Sequence, residues 1–358
     1  MRIGIVNDLP MAVEALRRVV ALDPGHCVIW IARDGAEAVE RCARELPDLV
    51  LMDLVMPGMN GVEATRRIMA ATPCPILVVT VSVGANTAKV YEAMGYGALD
   101  AVDTPELGQG DARAAAAPLL AKIATIGKLV GEPAEPRPRT ERPVVPGPSA
   151  GGLGLVAVGA SAGGPAAIAE LLRGLRQDFP AGIVIVQHVN QQFTAGMADW
   201  LNRESRLPVR LAVEGDTPEA GTVLLAGRDD HLCFKSSGRL GYAAEPKDYV
   251  YRPSVDVFFH SICRHWPGQA IGLLLTGMGR DGAAGLKAMR DQGCHTIAQD
   301  QASCAVFGMP KAAIALNAAV DVLPLSRIAQ RLLLRAGSWG AGATEMQRLA
   351  SVPGAQEG

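Results

Sequence analysis

The chain has 358 residues, enough for two or three domains with full cores. Its hydrophobic content is 49% with only 4% aromatic, which suits Ala/Val/Leu-rich α/β layers, and a net charge of −2 sets up no field that draws it to nucleic acid or membrane. No apolar run approaches the ~20 residues that span a bilayer. The seven cysteines form no C-x-x-C, and MRIGIVND enters a strand at once, so a soluble cytoplasmic protein with reduced thiols and no signal peptide is expected.

Over residues 1–130 short β-branched runs alternate with helical patterns. Arg2–Val6, Cys27–Ile31, Leu49–Met52, Ile76–Val79 and Ala98–Val102 read as strands, and 10–22, 35–46, 61–71, 86–95 and 112–129 as helices. Five successive β-α units imply a parallel, doubly wound sheet with right-handed crossovers. Ligands of such sheets bind at the C-terminal ends of the strands. There the sequence places Asn7-Asp8, Asp53, Thr80 and Asp103-Thr104-Pro105. Asp8 and Asp53 should converge. With a backbone carbonyl they suit Mg²⁺, beside which a carboxylate can accept a phosphoryl group and a hydroxyl on the next strand can sense it. Taken singly, either aspartate also fits an ordinary strand-end residue.

Residues 131–152, GEPAEPRPRTERPVVPGPSAGG, hold six prolines and almost no apolar face, the composition of a semi-extended tether. Strand-helix alternation resumes over 153–336, and the Gly/Ala-rich stretch 337–358 reads as a flexible, fraying tail. Leu153–Ile168 sets the order of this half. An apolar run ends at Val158, Gly159–Gly164 make a tight turn holding Ser161, and a helix begins near Pro165. That is the context of a serine nucleophile, although a serine capping a helix has the same pattern. This turn is not a G-x-G-x-x-G, and no Walker lysine follows it.

The run Gly182–Gln187 delivers His188 at its end, and Ile271–Leu275 leads through Thr276-Gly277-Met278-Gly279-Arg280 to Asp281. A serine needs an imidazole to take its proton, and the imidazole needs a carboxylate to fix its tautomer. Each residue alone has a structural alternative: His188 as a hydrogen-bonding core residue, Asp281 as a helix cap. Their joint placement at three strand ends favours catalysis. His231 follows Asp229-Asp230 in a loop, His260 and His265 fall in a helical stretch, and His295 beside Cys294 makes a poor metal site. The order Ser…His…Asp differs from that of the α/β-hydrolases.

With these motifs in view, the first 120 residues or so resemble a response-regulator receiver domain. The resemblance implies Asp53 as phosphoacceptor, Asp8 and the Val55 carbonyl as Mg²⁺ ligands with Asp53, and Thr80 as switch hydroxyl. Asn7 stands where receivers usually carry a second acid, and Thr104 where they carry a lysine. The receiver, the linker and the motifs GASAGG, VQHV, RPSVDVFF, TGMGRDG and ASCAVFGMPKAA together resemble the chemotaxis-type protein-glutamate methylesterases, the CheB family. That resemblance implies an N-terminal (βα)5 receiver and a C-terminal, mainly parallel α/β methylesterase domain. Ser161 would be the nucleophile, His188 the base, Asp281 the orienting carboxylate and the Met278 backbone part of the oxyanion hole. The implied reaction hydrolyses γ-glutamyl methyl esters on a methyl-accepting chemoreceptor to glutamate and methanol, and some members also deamidate glutamine. A CheA-type histidine kinase would be the phosphodonor, and the esterase step needs no cofactor. MRIGIVND, MGYGALDAVDTP and GASAGGP are more like the Wsp-type surface-sensing branch, whose pathway ends in a diguanylate cyclase. Ala162 replaces a common threonine, which with Thr104 leaves open a receptor-binding module of weak or absent turnover. A DNA-binding output would need a basic recognition helix after the linker, and the sequence there is Gly-rich α/β.

Overall fold

The computed structural model describes residues 1–84, 86–105, 112–131, 154–247, 249 and 251–350. All but the first residue of the expected linker lies outside these. In the first half β1 (Arg2–Val6), α1 (Pro10–Val20), β2 (Cys27–Ala32), α2 (Gly35–Arg44), β3 (Leu49–Met52), α3 (Gly61–Ala71), β4 (Ile76–Thr80), α4 (Thr87–Gly95), β5 (Asp100–Asp103) and α5 (Ala112–Gly131) alternate. The strands pair in parallel in the order β2-β1-β3-β4-β5. β3 and β4 are buried along their whole length, as helices on both faces of a parallel sheet require. Asp34 and Asn60 start α2 and α3 by accepting from the N–H groups of Glu37 and Glu63 at 2.9 and 3.0 Å. The winding reverses between β1 and β3, which opens a crevice between Asp8 and Asp53.

The second half runs β6 (Gly154–Ala160), α6 (Gly164–Arg173), β7 (Gly182–Gln187), α7 (Gln191–Glu204), β8 (Val209–Leu211), β9 (Val223–Leu225), β10 (His231–Phe234), β11 (Leu240–Ala243), α8 (Val255–His265), β12 (Gln269–Leu274), α9 (Ala283–Asp291), β13 (His295–Gln299), α10 (Met309–Ala315), β14 (Asp321–Leu323) and α11 (Leu325–Ala350). Seven strands form a parallel sheet in the order β14-β13-β12-β6-β7-β9-β8, with β10 and β11 as a separate antiparallel pair. β6 lies between β12 and β7, so the residues that follow these three strands share one edge.

The two halves are packed together. The apolar cluster on one face of the first sheet continues through Val90, Tyr91, Ala93 and Met94 of α4 into Ala167 and Ile168 of α6. A Cβ on Gly95 would come within 2.6 Å of the Ala166 Cβ, so only glycine allows the helices this approach. The Tyr91 hydroxyl donates to the Phe193 carbonyl, and its ring stacks on Trp200 with centroids 5.6 Å apart. Lys122 pairs with Asp100, and its ammonium lies 5.8 Å from the Phe193 ring centroid.

One expectation is corrected here. Part of the stretch read as a tail is helical: α11 runs through Gly337 to Ala350, with Trp339 packed against the apolar core and Gly154 too close to bear a Cβ beside that indole, while 351–358 lie outside the described residues. A helix already nucleated at Leu325 is extended at little cost, which local composition does not register.

Candidate active site

Ser161 is the first residue after β6. Its N–H donates to the Thr276 carbonyl at 3.0 Å, and its own carbonyl accepts from Gly164 N–H at 2.8 Å and from Gln187 Nε2 at 2.9 Å. Gly163, with φ 77°, takes the left-handed turn that a side chain would resist and begins α6. Ala162 is fully buried, and its carbonyl accepts from Thr276 Oγ1 at 2.9 Å, so the missing threonine hydroxyl leaves the turn's anchorage intact.

His188 follows β7 and donates its N–H to the Ala160 carbonyl at 3.1 Å. Its Nε2–H donates to Asp281 Oδ2 at 2.8 Å. Asp281 also accepts from Ser254 Oγ at 2.8 Å, Val255 N–H at 2.7 Å and Asp256 N–H at 3.0 Å. It therefore sits on the positive N-terminal end of α8, and does not cap its own helix, whose N-cap is Gly282. Burial alone would raise its pKa, but the His188 and backbone hydrogen bonds hold it below the ordinary carboxylate value. An ionised Asp281 fixes Nε2 as the protonated nitrogen and leaves Nδ1 without a proton. Nδ1 is buried and has no hydrogen-bond partner.

The structure thus joins His188 to Asp281 directly and sets Ser161 at the adjoining strand end. The ring of Tyr251 stacks on the imidazole with centroids 3.7 Å apart. Met278 follows directly: a Cβ on Gly277 would reach within 2.8 Å of the Ser161 Cβ, so the Gly277-Met278 backbone lies against the serine.

At the other sheet edge, Asp53 is 4% exposed and accepts from Leu54 N–H at 2.7 Å and Val55 N–H at 3.4 Å. Asn7, where an acid was expected, donates from Nδ2 to Asp53 Oδ2 at 3.1 Å. Burial chiefly, and the charge of Asp8, raise the Asp53 pKa. Asp8 Oδ1 is buried without a partner. Two acids short of a counter-charge, one with an orphaned oxygen, beside the Val55 backbone form a hard-oxygen set that fits Mg²⁺. Among the described residues no group of three or more His, Cys, Asp or Glu could hold a metal. A groove of ≈ 570 Å³ lined by Asn7, Asp8, Glu14, Arg17 and Arg33 opens beside this edge. Thr80 Oγ1 accepts from Asn86 Nδ2 at 3.1 Å. Thr104 joins the edge through its N–H, which donates to the Thr80 carbonyl at 2.8 Å, and its Oγ1 is buried without a partner.

Several site residues escaped the sequence reading. His231 is not a loop histidine. It opens β10, is fully buried, and ties Ser254 to Pro246 through its two ring nitrogens. Ser254 within RPSVD was legible as a helix cap, and the structure gives it Asp281 as a second partner.

Residues 3–109 match the response regulator receiver domain family and residues 156–332 the CheB methylesterase family. A Pseudomonas putida protein named protein-glutamate methylesterase/protein-glutamine glutaminase of group 3 operon is 62% identical over 332 residues, covering 93% of this chain and 98% of that protein. The chain belongs to the CheB methylesterase family. A Pseudomonas aeruginosa family member, protein-glutamate methylesterase/protein-glutamine glutaminase 3, is 60% identical over 334 residues, covering 93% of this chain and 98% of its own. Among solved structures, the Thermotoga maritima CheB methylesterase catalytic domain is similar at 34% identity and a TM-score of 0.48, over 51% of this chain and 97% of that one. Among the described residues of this family member no helix is long and apolar enough to cross a membrane.

Proposed function

We propose that this chain is a phosphorylation-regulated protein-glutamate methylesterase. It hydrolyses γ-glutamyl methyl esters on a cytoplasmic helix of a methyl-accepting chemoreceptor to glutamate and methanol. Glutamine deamidation follows the same route with ammonia as leaving group. The observation that carries this reading is the buried His188–Asp281 pair at 2.8 Å, which leaves Nδ1 free as a base at the strand end adjoining Ser161. Ser161 Oγ attacks the ester carbonyl as its proton passes to His188 Nδ1. The Met278 N–H steadies the tetrahedral oxyanion. Methanol departs with the proton from His188, and water repeats the sequence on the glutamyl-serine ester to return Ser161.

Regulation begins at Asp53, which accepts a phosphoryl group from a CheA-type histidine kinase. Asp8, Asp53 and the Val55 carbonyl would hold Mg²⁺, whose charge offsets that of the phosphoryl oxygens. Thr80 turns its hydroxyl toward the phosphoryl group and leaves Asn86, the residue that begins α4. α4 is the helix packed on α6 and α7, which follow Ser161 and His188, so the docked receiver restrains the esterase edge. Loss of the Thr80–Asn86 bond favours undocking to the extent that the two states differ in that contact. The likeness of MRIGIVND, MGYGALDAVDTP and GASAGGP to the Wsp branch favours a surface-sensing pathway over swimming chemotaxis.

The test is methanol release from a methylated receptor preparation by the intact chain and by Ser161→Ala, each with and without a small-molecule phosphodonor. Release that requires Ser161 and rises with the donor is expected. No release by the intact chain from a receptor accepted by another family member would overturn the esterase reading in favour of a binding module.

A further inference from the structure

Asn7 stands at the receiver edge where an acid was expected, and the structure fixes which way its amide faces. It follows β1 and is 3% exposed. Its backbone N–H donates to the Ala32 carbonyl at 3.0 Å, which ties it to β2. Its Oδ1 accepts from Leu9 N–H at 2.8 Å, the hydrogen bond of an Asx turn that leads into α1. With Oδ1 engaged there, Nδ2 faces the phosphoacceptor and donates to Asp53 Oδ2 at 3.1 Å. Asp53 N–H donates in turn to the Val6 carbonyl at 2.9 Å, so neighbouring strands hold the two residues in register.

An acid at this position could accept from Leu9 in the same way, but it would present an oxygen to Asp53. Asn7 presents an N–H. Thr104, at the place of the lysine, brings no charge: its N–H donates to the Thr80 carbonyl and its Oγ1 is buried without a partner. The edge therefore carries neutral side chains at both positions, and the amide of Asn7 reaches the carboxylate directly.

We propose that Asn7 is a catalytic residue of the receiver that shortens the life of the phosphoryl signal: its Nδ2–H stabilises the Asp53 carboxylate as the phosphoryl group is lost to water. The inference rests on the reading of Asp53 as phosphoacceptor. In that hydrolysis the water oxygen bonds to phosphorus, the bond from phosphorus to the Asp53 oxygen breaks, and its electron pair stays on the carboxylate. One proton of the water remains on the phosphate and the other passes to solvent.

Whichever carboxyl oxygen carried phosphorus, the returning charge is shared with Oδ2, where Asn7 donates. In the acyl phosphate that oxygen is an ester or carbonyl oxygen and a weaker acceptor, so the hydrogen bond strengthens along the reaction. Phosphoryl transfer passes through a loose transition state, in which the departing carboxylate already bears most of its charge. The donor therefore lowers the barrier to loss. In the gain of the phosphoryl group the carboxylate is charged both before and at the transition state, so the donor leaves that rate nearly unchanged.

The experiment uses the full chain, phosphorylated with phosphoramidate in saturating magnesium and then transferred to EDTA, so that the metal takes no part in the decay. Intact-mass spectrometry follows the phosphoryl adduct. Asn7→Leu removes the donor at similar volume. Asn7→Ser keeps an acceptor for Leu9 N–H and is too short to reach Asp53. Both should lengthen the half-life about tenfold, the worth of a hydrogen bond whose acceptor gains charge, with the rate of phosphorylation within about twofold of the parent. A merely loosened site admits water and shortens the half-life, the opposite sign. An unchanged or shorter half-life in Asn7→Ser overturns the proposal, and so does a fall in the rate of phosphorylation that matches the slower decay. Asp53→Ala measured in parallel separates the two levels: an adduct that persists in that variant, or none on the parent chain, removes the phosphoacceptor reading and this proposal with it.

Discussion

Asp53 and Asp281 are both buried carboxylates at the C-terminal edge of a parallel sheet, and their surroundings pull them in opposite directions. Asp281 accepts from two backbone N–H groups at the start of α8, from Ser254 and from the His188 imidazole, and is held below its ordinary pKa. Asp53 has two neighbouring N–H groups and the Asn7 amide, but burial and the Asp8 charge raise it. On the proposed function the difference has a use. A carboxylate that orients a base must be satisfied before substrate arrives. One that accepts a phosphoryl group with a cation must be left short of positive charge until then.

The sharpest way to break this comparison is Asp281→Asn. The amide cannot serve as acceptor to His188 and to α8 together, so the imidazole loses its tautomer. Methanol release should fall about 10⁴-fold with the fold retained. A loss of a few-fold would mean that Asp281 holds the helix and not the base.

The second test addresses what links the two edges. Gly95→Leu puts a side chain where the Ala166 Cβ already stands, so it should undock α4. Basal release should rise roughly 5- to 30-fold, the range set by one or two kcal/mol of docking energy. The response to phosphodonor should shrink accordingly. Lower basal activity would show that docking supports the esterase.

Asn7→Asp then sharpens the comparison on the receiver side. It replaces the donor to Asp53 with a third acid and should tighten Mg²⁺ binding by roughly tenfold, read by calorimetry. The same change should raise the Asp53 pKa further, read by carboxyl NMR.

The smallest effect expected is on stability. A carboxylate raised by the fold is disfavoured when ionised, so Asp53 weakens the native state as pH rises through its raised value. Asp53→Asn should therefore raise the melting temperature at neutral pH, and the gain should vanish below the ordinary carboxylate value of 3.8. Asp281 runs the other way. Its contribution is complete above that value and is lost as pH falls through its lowered pKa.

The sequence showed much of this, because buried parallel strands are apolar runs and their polar ends are conspicuous. Asp8, Asp53, Thr80, Ser161, His188 and Asp281 all stand just at or beyond such ends. β8 and β14, of three residues each, and α10, of seven, carry too little pattern to be read alone. Tyr251 and His231 were illegible for another reason. Their contacts, with His188, Pro246 and Ser254, join residues far apart in the chain, and nothing in local periodicity says which distant residues meet. The part of α11 from Gly337 on passed for a tail because Gly and Ala hide a helix that Trp339 helps to anchor.

The stack of Tyr91 on Trp200 bridges the two halves of the molecule, with one ring contributed by each. An indole 5.6 Å from a phenol that leaves on undocking is a built-in optical reporter. Opening of the chain should change the emission of Trp200 without any added dye. On the proposed regulation, the contact between the halves would report the moment of undocking.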